Sequence, residues 1–289
     1  MRSLTPARLL MLLPAHLLLL ATIAVPSLYV LWLSFMASTY GSISGFVGLD
    51  NYRAMFADPY FWRALVNTLV VVNIVVYAEL LLAVAIAHVF AQGVPMRRAL
   101  IAIVLMPYAI SEVVAVVIWK FMMDPDIGLI ERPLAALGLP GLHWAVDPAS
   151  GLALVCIISV WLNLPFSFII SYAAMRGVPV ELYEAADSDG ASQWQRFRHI
   201  TLPSIWPALL VALIFRYIIA FRLFSEVWLL TGGGPARTTE VLAIYLYKQA
   251  FTYADFGRGA AAGWVMVLAS GVFAAAYVSR LARSGFAKG

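Results

Sequence analysis

Charge is what this chain has least of. Of its 289 residues only 12% are Asp, Glu, Lys or Arg, well below the roughly 25% usual for soluble domains. With 63% of the residues hydrophobic, an ordinary water-soluble globule is excluded and a membrane protein expected. Cysteine occurs once, at Cys156 inside an apolar run, so no internal disulfide can form and the redox compartment is unreadable. Lysine occurs only after Trp119, Tyr247 and Ala287. A phosphate-cradling Walker loop needs Gly-Lys before Ser or Thr, so this chain carries no such loop and any ATP chemistry belongs to another subunit. The histidines His16, His88, His143 and His199 are far apart and no HExxH occurs. Neither they nor Cys156 offers a readable nucleophile and base or a metal set, so no catalytic residue, metal or bound cofactor is expected. Low-complexity linkers and defensible internal repeats are also missing, which reads as one membrane domain over residues 1–289.

Apolar runs long enough to cross a bilayer, about 20 residues each, appear near Leu9 to Phe35, Leu65 to Phe90, Leu100 to Phe121, Gly151 to Met175, Leu209 to Leu230 and Ala260 to Val278. Backbone groups in lipid must be satisfied within the segment, and the runs lack a barrel's alternation, so the fold class is an all-α membrane bundle of six transmembrane helices. The first run follows Arg2 and Arg8 as in a signal peptide, but at 27 residues it exceeds the roughly 7–15 of a cleavable apolar core and reads as a retained helix. Placing the N-terminus inside puts ten Lys and Arg there, among them Arg97, Arg98, Arg176, Arg196, Arg198, Arg280, Arg283 and Lys288, against seven outside. The positive-inside rule then predicts both termini in the cytoplasm. The formal charge of +4 follows from these inner-leaflet arginines and needs no nucleic acid partner.

One loop on the predicted inner side stands apart: residues 176–207 hold the polar stretch Glu184 to Pro203 between two apolar runs. Pro179 suits a first helical position, Glu181 and Glu184 favour a helix start, and Gly190 suits a left-handed cap. These signals predict one short helix from about Pro179 to Asp189. Ser192 and Gln195 form a capping box for a second, along which Trp194, Phe197 and Ile200 share a face while Arg196 and Arg198 point elsewhere, until Leu202-Pro203 ends it. Such a knob suits a groove on another protein; composition alone equally allows an amphipathic segment resting on the membrane.

The order Glu184-Ala185-Ala186, three residues from Asp187, Gly190, nine residues, Ile200, one residue, Leu202-Pro203 resembles the coupling loop of permeases of binding-protein-dependent ABC importers. Ser188 departs from the pattern, which often has an aliphatic residue there. Phe46 to Tyr52 and Leu230 to Pro235 resemble segments of the carbohydrate-type branch, although turn chemistry alone would explain the glycine run Gly232 to Gly234. The resemblance implies a type I ABC importer permease fold in a bacterial inner membrane. It further implies half of a path for a sugar, oligosaccharide, polyol or glycerol-phosphate-like solute, with ATP and Mg bound on partner subunits. The implied partners are a second permease forming a heterodimer, two ATPase subunits and an extracytoplasmic substrate-binding protein. The implied coupling residues are Glu181, Glu184, Ala185, Ala186, Asp187, Gly190, Trp194, Arg196, Phe197, Ile200, Leu202 and Pro203.

Glu79, Glu112, Arg216, Arg222 and Glu226 lie in or at the ends of predicted spans and should face protein or water. Arg222 and Glu226, four apart, would share a helix face, which favours an internal ion pair over a solute contact. A polyol site needs aromatic faces and hydrogen-bonding groups, so Tyr108, Trp161, Asn163 and Tyr172 join Glu112, Arg222 and Glu226 as substrate-path candidates, with Pro107 and Pro165 beside them. The alternative is an ion-gradient-driven secondary transporter with Glu79, Glu112 and Glu226 as proton sites, although the repeats common in such proteins are not evident.

Overall fold

The structure is a computed structural model and describes residues 6–124, 126–138 and 141–286. Arg2 and Lys288 lie outside the described residues, as do the side chains of Arg8, Arg280 and Arg283. The elements in chain order are α1 Pro6–Leu19, α2 Val25–Leu33, β1 Met36–Thr39, β2 Ser42–Phe46, α3 Asp50–Ala57, α4 Pro59–Ala91, α5 Arg97–Leu105, α6 Glu112–Met122 and α7 Glu131–Ala136. Then follow α8 Pro148–Arg176, α9 Val180–Ser188, α10 Gln193–Arg196, α11 Leu202–Ala220, α12 Ser225–Leu230, α13 Leu242–Tyr247 and α14 Phe256–Phe286. Five helical segments are long and apolar enough to span a membrane: Leu13–Leu33, Pro59–Ala91, Pro148–Arg176, Gln193–Ala220 and Phe256–Ala276. A sixth span is supplied by the pair Arg97–Ala109 and Glu112–Met122, bent by 101°.

The backbone forms two compact units, residues 1–62 with 245–266 and residues 63–244 with 267–289. In the first, β1 and β2 pair antiparallel across Tyr40-Gly41, whose positive φ angles of 50° and 79° are what a two-residue hairpin turn needs. Asn51 Nδ2 donates to the carbonyls of Ser34 and Met36, both at 2.9 Å. A Cβ on Gly257 would lie 2.4 Å from the Met36 carbonyl oxygen, so the start of α14 approaches this strand as only glycine allows.

The second unit is built on α4, α8 and α11. One apolar cluster joins Val71, Val75, Ala115, Val116, Leu154, Ile158 and Val227; another joins Ala83, Ala87, Phe90, Phe168, Ile205 and Leu209. α8 and α11 bury side chains around much of their circumference, the pattern of a helix enclosed by protein.

Three expectations are corrected. The run Leu100 to Phe121 is no straight helix: Pro107 sits in a 3₁₀ turn, Met106–Ala109, and Ile110 is extended (φ −90°, ψ 137°), so the chain changes direction before Glu112. The run Leu209 to Leu230 is also broken, because α11 stops at Ala220 and α12 starts at Ser225. No Pro or Gly lies in that gap; α12 packs on α6 and α8 and buries Val227 and Leu230, so tertiary packing sets its direction. Finally, Leu202-Pro203 does not end the second short helix. A π-helical stretch, Phe197–Thr201, precedes it, and the altered hydrogen bonding of such a bulge accommodates a proline that lacks an N–H.

α8 starts at Asp147, whose Oδ2 accepts from the Ser150 hydroxyl and, at 2.8 Å, from the Ser150 N–H. These bonds, the hydroxyl's foremost, hold the Asp147 carboxyl below its usual range. Because the folded-state pKa is the lower one, the cap stabilises fully above the ordinary carboxylate pKa and is lost as pH falls through the depressed value. Asp147→Ala should therefore lower the thermal unfolding midpoint in detergent at neutral pH. That difference should begin to shrink as pH falls below the ordinary carboxylate range and vanish only below the depressed value.

Candidate functional site

Two features of the second unit join the chemically distinctive residues: the helical hairpin at residues 180–203 and a cavity among α4, α8, α11 and α12. The hairpin forms as the local sequence dictates. α9 closes on Gly190 in the left-handed region (φ +74°). Gly190 N–H donates to the Asp187 carbonyl at 3.1 Å and Ala191 N–H to the Ala186 carbonyl at 2.9 Å, which is a Schellman cap. A Cβ at Gly190 would meet nothing within 4 Å, so the demand for glycine is purely one of backbone conformation. The capping box of α10 is complete, with Ser192 N–H donating to Gln195 Oε1 at 2.8 Å and Gln195 N–H to Ser192 Oγ at 3.4 Å.

Two cross-links fix the angle between the short helices. Arg196 pairs with Asp187, and the Tyr183 and Thr201 hydroxyls lie 2.9 Å apart. Glu181, Glu184, Ala185, Asp187, Trp194 and Pro203 are exposed, whereas Ala186, Arg196, Phe197, Ile200 and Leu202 are half-buried. The expected aromatic face is thus divided. Trp194 stays 65% exposed while Phe197 stacks on it at 5.6 Å and packs against His88 at 4.6 Å. Since Gln193–Ala220 is one continuous helical segment, the second half of the hairpin is the beginning of a membrane-spanning helix.

The cavity holds about 420 Å³ and brings together Tyr108, Glu112, Asn163, Arg222 and Glu226 from the substrate-path candidates, with Ser159 and Arg216. Trp161 and Tyr172 do not line it. Trp161 packs edge-on to Trp119 at 5.8 Å and Tyr172 stacks on Phe168 at 5.6 Å, so both serve packing. The expected Arg222–Glu226 ion pair does not form, because the helix break at 221–224 removes the one-turn spacing it required.

The ion pair that exists joins residues 137 positions apart. Arg216 Nε donates to Glu79 Oε2 at 2.7 Å, and the two side chains are 4% and 0% exposed. Ser167 Oγ donates to Glu79 Oε1 at 2.5 Å, and Arg216 Nη1 to Asn163 Oδ1 at 3.1 Å. Asn163 Nδ2 donates to the Ser159 carbonyl at 2.8 Å, and Ser159 Oγ to Glu226 Oε1 at 2.8 Å. The Tyr217 hydroxyl donates to Asn73 Oδ1 at 2.7 Å and braces α11 on α4. Glu79 and Arg216 stood out in the sequence as isolated charges, but nothing there named their partner; Ser159 and Ser167 carried no signal at all.

The helical fold, with its broken spans and capped hairpin, is that of a multi-span membrane protein. Residues 7–284 match the family described as "Binding-protein-dependent transport system inner membrane component", and the chain belongs to it: it is a multi-pass inner-membrane permease subunit of a binding-protein-dependent ABC importer. Permease subunits of this kind carry no ATPase activity of their own, and family membership sets aside the ion-gradient alternative. The chain is 34% identical over 275 residues to the sulfoquinovosyl glycerol transport system permease protein SmoG of Agrobacterium fabrum, covering 93% of this chain and 88% of the relative. It is 34% identical over 253 residues to the trehalose/maltose transport system permease protein MalF of Thermococcus litoralis, covering 87% and 85%. Among solved structures, a chain of a bacterial ABC transporter involved in the import of the acidic polysaccharide alginate superposes with a TM-score of 0.83 at 25% identity, covering 94% of each.

Removing one member of the buried pair strands the other's charge, an effect worth about 3–5 kcal/mol. Arg216→Ala should therefore lower unfolding stability by roughly that amount. The double change Glu79→Leu with Arg216→Met should recover most of the loss, as measured by thermal unfolding of purified protein in detergent.

Proposed function

We propose that this subunit forms half of the translocation path of a carbohydrate importer and receives the work of ATP hydrolysis through the hairpin at residues 180–203. The observation that carries this is the hairpin itself: a doubly capped, cross-linked knob whose second helix continues without interruption into α11, the helix that brings Arg216 to the cavity. A push on the knob moves a rigid rod, and the rod moves the cavity wall. The exposed residues Glu181, Glu184, Ala185, Asp187, Trp194 and Pro203 are the contact set for an ATPase subunit. Ala186, Gly190, Arg196, Phe197, Ile200 and Leu202 hold the knob's shape.

ATP and Mg are bound by two ATPase partners, a second permease supplies the other half of the path, and an extracytoplasmic binding protein delivers the solute. Both termini and the hairpin lie in the cytoplasm, as the excess of inner arginines supports. The solute is a sugar, oligosaccharide or related polyol or glycerol-phosphate compound. Relatives named for sulfoquinovosyl glycerol and for trehalose and maltose support that class, and the cavity of about 420 Å³ falls in the usual range for small-ligand pockets. Tyr108, Glu112, Asn163, Arg222 and Glu226 are its solute-facing residues.

The test is uptake and ATP hydrolysis by the assembled complex in proteoliposomes. Gly190→Val forces a β-branched residue into left-handed backbone at about 1–2 kcal/mol and should abolish uptake while basal ATP hydrolysis persists; unimpaired uptake would refute the coupling role. A cysteine at Glu184 should crosslink to the ATPase during turnover, and failure to do so at every ATPase position tried would count against the contact.

A further inference from the structure

A second cavity, of about 620 Å³, lies between the hairpin and the ends of α4 and α8. Three spanning segments terminate at it: Pro59–Ala91 and Pro148–Arg176 end there and Gln193–Ala220 begins there, with Ala91, Arg176 and Gln193 all in its lining. A cleft where spans end sits at the depth of lipid headgroups, outside the hydrocarbon core. Most of its polar groups are already matched. His88 and Gln92 are hydrogen-bonded through their Nε2 atoms at 2.8 Å, the Tyr183 and Thr201 hydroxyls lie 2.9 Å apart, and Arg196 pairs with Asp187. The side chains of Arg176 and Gln193 are the exceptions. Both are exposed, and neither has a hydrogen-bond or ion-pair partner among the described residues. No Asp or Glu lines the cleft, so nothing in its wall offsets the Arg176 charge. An arginine at a span end satisfies the positive-inside rule and the helix dipole by itself. Neither accounts for a concave, acid-free wall with a free amide beside the free guanidinium.

We infer that this cleft is a binding site for a phosphate anion, held by Arg176 and Gln193, and that its source is the headgroup of an acidic phospholipid. A guanidinium binds phosphate through charge-assisted, often bidentate hydrogen bonds, and basic pockets between helices at the membrane surface take anionic headgroups. Depth and lining favour the lipid over a free ion. Met175, Val178 and Phe197 complete the wall, giving the glycerol and first acyl carbons an apolar surface that inorganic phosphate does not need. The occupant would bridge bundle and hairpin, since Arg176 closes α8 and Gln193 opens the helical segment that runs on into α11. Its effect on transport rests on the coupling role proposed above; the binding does not.

The experiment reads occupancy of the cleft directly in the complete complex. Ala91 is half-buried in the lining, and the native Cys156 is buried, so the rate at which an uncharged maleimide modifies Ala91→Cys reports access to the site. The complex is placed in nanodiscs of phosphatidylcholine, of phosphatidylcholine with increasing phosphatidylglycerol, and of phosphatidylcholine with inorganic phosphate in the buffer. Phosphatidylglycerol should slow modification and phosphatidylcholine should not. Adding Arg176→Gln should raise the phosphatidylglycerol content needed for half protection about tenfold, the equivalent of one charge-assisted hydrogen bond, and Gln193→Ala should raise it less. Arg98→Gln removes an arginine from the same side of the protein that does not line the cleft and should leave protection at the wild-type level. Protection by inorganic phosphate without phosphatidylglycerol would uphold the phosphate site and overturn the lipid source. Absence of protection by every probe, or equal losses in Arg98→Gln and Arg176→Gln, would overturn the site, the latter by showing only diffuse attraction to the anionic surface. Labelling requires no transport, so this outcome is separate from that of Gly190→Val.

Discussion

The buried pair Glu79–Arg216 is the constraint on which the second unit turns. Each residue sits alone in an apolar helix, at 0% and 4% side-chain exposure, where an uncompensated charge is worth about 2.5–3.5 kcal/mol against insertion even on lenient scales. Neither helix can rotate or slide without exposing its charge to lipid or to its partner's absence. The pair therefore fixes the register of α11 against α4, and Tyr217–Asn73 one residue further on reinforces it. A hydrophobic substitute would hold the helices together as well or better. What apolar packing does not supply is a unique register, since oily surfaces slide past one another at little expense, while a charge-assisted contact whose remaining donor and acceptor go to Asn163 and Ser167 allows one arrangement.

That register matters because α11 is mechanically continuous with the hairpin. The segment Gln193–Ala220 would be about 42 Å long at 1.5 Å per residue, and it passes Pro203 and Pro207 without a break. The π stretch Phe197–Thr201 is the place where this rod departs from regular α geometry, just where it leaves the knob. At the other end the rod stops abruptly at Ala220, before α12 turns aside. One helical segment thus joins the knob to Arg216 and to the 221–224 break. Gly190 and the cross-links Asp187–Arg196 and Tyr183–Thr201 keep the knob from flexing first.

Much of this was legible in the sequence, and what was not has a common cause. The spans were readable because the bilayer imposes a length and a polarity on each, and the knob because caps are local: Gly190, Ser192 and Gln195 act within four residues of the groups they satisfy. Most of the misreadings involved tertiary contacts. Arg222 and Glu226 have helical spacing but lie across a break that no Pro or Gly announces. The partner of Arg216 lies 137 residues away, beyond any pattern a single sequence carries. Trp161 and Tyr172 have the composition of sugar-stacking residues, yet which face of α8 meets the cavity was decided by packing against Trp119 and Phe168. Pro203 looked like a terminator because its lost N–H was judged against α-helical bonding, whereas the chain answers it with a π turn.

The same network that fixes register also connects the cavity to the rod. From Ser167 through Glu79, Arg216, Asn163 and Ser159 to Glu226, each polar group is held by the next. Coupling between two sites is reciprocal. A shift of α11 that moves Arg216 is therefore passed through Asn163 and Ser159 to Glu226, and a shift of Glu226 is passed back by the same contacts. Glu226 and the buried pair therefore belong to one polar network, which ties α8, α11 and α12 to α4.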